Sequence, residues 1–122
     1  ARMDWKFNAT VLNIVDGDTI DCRIRLGFHV EVVERLRLCM SDGVGLNAPE
    51  VRGAERKAGL ASKVALRNLL ARYTENDECV VKTFRGTAQG KYGRFLASIE
   101  TGEGVKICDL LVENGHAQRK AY

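Results

Sequence analysis

Residues 7–38, FNATVLNIV-DGD-TIDCRIRL-G-FHVEVVERLRL, decide the fold. Valine, isoleucine and leucine alternate there with polar and charged residues, which is the period-two pattern of half-buried strands. Two breaks interrupt the run. Asp16-Gly17-Asp18 carries turn chemistry, because aspartate bonds to nearby backbone and glycine accepts positive φ, and Gly27 marks a second turn for the same reason. The reading is three consecutive strands, Phe7 to Val15, Thr19 to Leu26 and Phe28 to Leu38, folded as a meander.

Outward from this core, Cys39 to Gly53 is a long irregular connection that holds Pro49, the only proline, and a loop of that length tends to be functional. Ala58 to Tyr73, rich in leucine and alanine, predicts a helix, with Arg56, Lys63 and Arg67 along one flank; that stripe suits either a solvated face or contact with a polyanion. Glu78 to Phe84 and Arg94 to Glu100 predict two more strands, joined through the glycine-rich Gly86 to Gly93. Val105 to Asn114 predicts a short second helix closed by Asn114-Gly115. The fold class is therefore α+β, mainly β: a five-stranded Greek-key barrel of the OB type with two helices. Such barrels commonly bind polynucleotides on one face and its loops.

At 122 residues the chain is one domain, 1–122, large enough to bury a core without staples. Lysine and arginine number 19 against 16 acidic residues, a net charge of +3 that permits a polyanionic partner without demanding one. Cys22, Cys39, Cys79 and Cys108 lie far apart with only His29 and His116 to assist, which argues against zinc and reads as four small buried hydrophobes. No stretch is long and apolar enough to span a membrane, and Ala1 to Trp5 has no apolar core of the secretory type. A monomer with an intracellular address is the expectation, a secreted one standing if a leader has been removed.

Three short segments carry chemistry. Asp18 follows a glycine turn that can aim a carboxylate off the barrel rim toward a hard cation, although Asp-Gly-Asp is also ordinary hairpin chemistry. In Asn47-Ala48-Pro49-Glu50 proline fixes the backbone beside polar groups, as it also does at plain helix starts. Lys91-Tyr92-Gly93-Arg94 precedes a strand and offers a planar guanidinium for phosphate oxygens, or simply a turn. Arg35 and Arg37 share one strand face, and either suits a phosphate or a solvated surface.

Together the three segments resemble the staphylococcal (micrococcal) nuclease family, also called thermonucleases, over nearly the whole chain. The resemblance implies a calcium-dependent phosphodiesterase acting on DNA and on RNA as a second candidate, with low sequence specificity and 3′-phosphate products. It implies Ca²⁺ ligands at Asp18, Asn47 and the Ala48 carbonyl, supported by Asp16 and Thr19. Glu50 would handle the attacking water, and Arg37 and Arg94 the phosphoryl charge. Lys91 and Tyr92 would hold substrate, and Tyr122 would stack on a base. Two departures stand out. Better-known members carry aspartate where this chain has Asn47, which lowers the charge of the site, and the family strand and motif join without interruption, so that Cys39 to Gly43 reads as an insertion that leaves Arg35 and Arg37 both in play. The alternative is the same barrel kept as an attenuated module that grips nucleic acid or protein.

Overall fold

The alternation in residues 7–38 makes three antiparallel strands: β1 (Asp4–Asp16), β2 (Thr19–Gly27) and β3 (Val30–Leu38). The structure, a computed structural model, describes residues 4–84 and 95–120. Opposite residues such as Ile20 and Leu36, or Ile24 and Val32, meet across β2 and β3 and face inward. A short β4 (Leu46–Asn47) and a 3₁₀ turn at Gly53–Glu55 precede α1 (Arg56–Tyr73). Then come β5 (Glu78–Phe84), β6 (Phe95–Glu100), α2 (Ile107–Glu113) and β7 (Gln118–Arg119).

Five strands close a barrel in the order β1-β2-β3-β6-β5, with β5 returning to β1 along Asp4 to Thr10. One pairing is parallel, Leu36 to Leu38 with Phe95 to Ala97, so the barrel is mixed. This is the OB-like α+β architecture expected from the sequence. Ile20, Leu36, Leu38, Val81 and Ile99 fill the interior, while Leu66 and Leu70 of α1 and Ile107 and Leu111 of α2 seal one side, each essentially excluded from solvent. Burial of each such side chain contributes about 1.5–3 kcal/mol. All four cysteines are buried as free thiols. Burial first pushes the Cys39 and Cys108 thiols up to about 12, which makes them inert packing groups.

The structure corrects several boundaries. The second turn is centred on Phe28 and His29 and not on Gly27: both take left-handed backbone, φ 53° and 63°, between the paired Gly27 and Val30. Positive φ at both central positions lets a two-residue turn follow the right-handed twist of its strands, and glycine or asparagine usually supplies it. Phe28 is 98 % exposed there. The connection after β3 is less irregular than expected, because Leu46 and Asn47 pair with Arg119 and Gln118 in a second, two-stranded sheet. Gly86 to Gly93 and Arg94 lie outside the described residues.

Helix α1 packs on the barrel through Gly59, Ser62, Leu66 and Leu70, one helical stripe. Two glycines let it come close to the loop that follows β4. A Cβ at Gly59 would lie 1.9 Å from the carbonyl oxygen of Glu50, and one at Gly17 would lie 2.8 Å from Ser62 Cβ and 2.9 Å from Ala48 Cβ. Gly59→Ala must therefore push helix and loop apart, and we expect a loss of about 1–3 kcal/mol in urea unfolding. Gly102→Ala, where a Cβ meets nothing within 4 Å, is the control and stays within about 0.5 kcal/mol. Equal effects would mean that the close approach of helix and loop does not constrain the fold.

Candidate functional site

Asp18 sits in the turn immediately before β2, at the barrel rim, and is buried, with 3 % of its surface exposed. Its carboxylate gathers three chain segments. Oδ1 accepts the Thr19 hydroxyl at 3.0 Å, and Oδ2 accepts the Ala48 backbone N–H at 2.9 Å and lies 3.1 Å from Arg37 Nη2. Behind it, Asp16 Oδ1 accepts the Asp18 N–H at 3.2 Å. The backbone is tied as well, since Leu38 N–H donates to the Asp18 carbonyl at 2.8 Å.

Arg37 reaches the site because Thr19 and Arg37 are directly opposed across β2 and β3. Its Nη2 donates to Asn47 Oδ1 at 3.1 Å. One guanidinium thus stands between the Asp18 carboxylate and the Asn47 amide oxygen. Arg35, two residues away on the same face, holds Asp21 in a two-point contact of 2.8 and 3.1 Å. That contact pulls the Asp21 carboxyl below its usual range. Geometry therefore gives Arg37 to the rim and Arg35 to its strand neighbour.

The segment from Asn47 to Glu50 is held from both sides. Pairing with β7 fixes Asn47, the Asp18 carboxylate fixes Ala48, and Gly59 receives the Glu50 carbonyl, while the Glu50 side chain points to solvent as an exposed group. Residues Cys39 to Gly43 turn back on themselves, with Met40 N–H donating to the Val44 carbonyl at 2.7 Å and Cys39 bridged to Gly45. Ser41 anchors this excursion on α2 through Asp109, at 2.9 Å from its N–H and 2.6 Å from its hydroxyl, and Asp42 anchors it on Arg119 at 3.0 Å.

Lys91, Tyr92, Arg94 and Tyr122 lie outside the described residues. Of the α1 stripe, Arg56 donates to the Val51 carbonyl and Arg67 is ion-paired with Asp77, so those two cations are engaged within the chain. Reading the sequence alone passed over Ser62, whose hydroxyl donates to the His116 carbonyl at 2.6 Å and pins the segment before β7 to α1. A serine on the buried stripe of an otherwise apolar helix was the available signal.

No three His, Cys, Asp or Glu side chains come together as a metal cage among the described residues. What does converge is an oxygen pair, Asp18 Oδ2 and Asn47 Oδ1, on a single cationic nitrogen, with the Ala48 backbone beside them. Oxygen donors of this kind are the type that suits hard cations and not zinc, and here the Arg37 guanidinium occupies both. No protein-family model matches the chain, and no curated protein matches it significantly.

Burial first, and then the adjacent Asp16 carboxyl, push Asp18 up from 3.8 to about 6, against the pull of the Ala48 N–H and Arg37. A carboxyl with a raised folded pKa binds its proton more tightly in the folded chain, so folding loses stability from this group as pH climbs from about 4 to about 6. In metal-free buffer, the difference in urea midpoint between wild type and Asp18→Asn therefore shifts against the wild type over that interval. A flat or opposite trend would mean that the charged Asp18 is not penalised by its burial.

Proposed function

We propose that the domain is a nuclease that hydrolyses phosphodiester bonds of DNA with low sequence specificity, RNA being a candidate second substrate, and that it depends on Ca²⁺. The observation that carries this reading is the meeting of Asp18, Asn47 and Arg37 at one point of the barrel rim, beside the anchored Ala48 to Glu50 segment. The motif resemblance that extends through Lys91-Tyr92-Gly93-Arg94 adds to it.

In this reading Asp18, Asn47 and the Ala48 carbonyl hold the calcium ion, which when bound supplies positive charge against a phosphate oxygen. Arg37 leaves Asp18 for the phosphate, where its planar guanidinium can donate two hydrogen bonds and stays charged. Glu50 is exposed and its backbone is fixed by Gly59, so its carboxylate can accept a proton from a water that attacks phosphorus. Arg94 is the second guanidinium for the charge that builds on the phosphoryl oxygens, Lys91 and Tyr92 hold the substrate, and Tyr122 stacks on a base. Cleavage then leaves a 3′-phosphate.

A second reading is favoured by the same guanidinium. Arg37 already neutralises Asp18, and Asn47 brings no charge, so the rim can persist as a module that binds nucleic acid or protein without cutting. One assay separates the two. Single-stranded DNA is cut in Ca²⁺ and left intact in EGTA if the nuclease reading holds, and binding without cutting in both buffers favours the module. Arg37→Ala lowers kcat/KM by a factor on the order of a hundred or more, while Arg35→Ala changes it only a few-fold. The reverse ranking would move the role to Arg35. Asn47→Asp tightens Ca²⁺ in calorimetry, and unchanged affinity would take Asn47 out of the coordination sphere.

A further inference from the structure

An open groove of about 320 Å³ runs between α1 and the segment leading into β7, and it begins where the rim site ends, because Asn47 lines it. Ala58 and Ala61 of α1 line it with small side chains. Polar Asn47, Glu55, His116 and Gln118 line it too, beside Pro49 and Ala117. Asn47 and Gln118 are directly opposed in the β4–β7 pair, so both amides project from the same face of that ribbon. The wall is held in place by the Ser62 hydroxyl on the His116 carbonyl at 2.6 Å and by the His116 N–H on the Leu111 carbonyl at 3.0 Å.

We infer that this groove binds the nucleobase of the nucleotide whose phosphate lies on Arg37, with preference for a base that bears an exocyclic amine. The inference rests on the nuclease reading and names a base subsite for it. Small alanines beside Pro49 leave room for a planar ring, and the side chains of Asn47, Gln118 and His116 can supply the mixed donors and acceptors that a base edge needs. Glu55 decides between ligands. Its carboxylate repels a phosphate in the groove and the carbonyl that thymine presents at position 4, and it accepts a hydrogen bond from the amine of cytosine or adenine. Asn47 joins the two sites, since its Oδ1 receives Arg37 and the residue also lines the groove.

The test uses the intact chain and needs no cleavage. Amide resonances of ¹⁵N-labelled protein are followed while dCMP, dAMP or dTMP is added in Ca²⁺. The expected result is that dCMP and dAMP shift Asn47, Gln118 and His116 and bind about tenfold more tightly than dTMP. Glu55→Gln should bring the three affinities together without changing the fold, and Gln118→Ala should weaken all that bind. Shifts confined to other parts of the barrel, or equal binding of dTMP by wild type, overturn the inference. The outcomes separate from those of the nuclease reading: DNA cut in Ca²⁺ with no response in the groove sinks the base subsite alone, whereas a groove response without cutting keeps the subsite and gives the domain to the binding-module reading.

Discussion

The buried Asp18 carboxylate is the constraint on which the rim depends. It binds the β2 hydroxyl of Thr19, the backbone of Ala48 and the guanidinium of Arg37, which come from three separate stretches of chain. A carboxylate placed that deep is costly unless its oxygens are occupied, and here each is. The cost is still visible in its raised pKa. What the fold gains is position, because the partners that relieve the buried charge are the groups that line the rim.

Elsewhere charge plays a different part. Glu100, almost fully buried on β6, is held by Lys6 at 3.1 Å and Lys106 at 3.0 Å and ties β1 and the approach to α2 to the barrel wall. Arg25 on β2 meets Glu31 and Glu78, and Arg35 meets Asp21. These exposed or half-exposed pairs neutralise the outer face of the hairpin, and each is worth little in stability. Each such pair takes one acid with one base, so the net charge of +3 is left untouched by them.

The barrel was legible because alternation in residues 7–38 and two apolar runs later in the chain are properties of single strands. The helix α1 was legible for the same reason, its buried stripe being local. The turn at Phe28 and His29 was not, since it lacks the glycine or asparagine that usually supplies left-handed backbone at both central positions. The β4–β7 ribbon escaped as well: a strand of two residues has no period, and its partner lies far away in sequence. At the rim, Asp18 and the Asn47 to Glu50 segment were legible as residue types, while the contact between Asp18 and the Ala48 N–H was not. Arg35 and Arg37 share a face, so parity could not separate them. Only the neighbours across β2, Asp21 for one and Thr19 for the other, do so.

The β4–β7 ribbon also bears on how the protein is made. Asn47 and Gln118 are separated by about 70 residues, so the loop that carries Ala48 and Glu50 cannot be strapped down until Gln118 and Arg119 have left the ribosome. The meander and α1 can form earlier from local contacts, whereas this long-range pairing comes late and slowly. A nascent chain would then carry a folded hairpin but an unfinished rim until Gln118 and Arg119 emerge to pair with it.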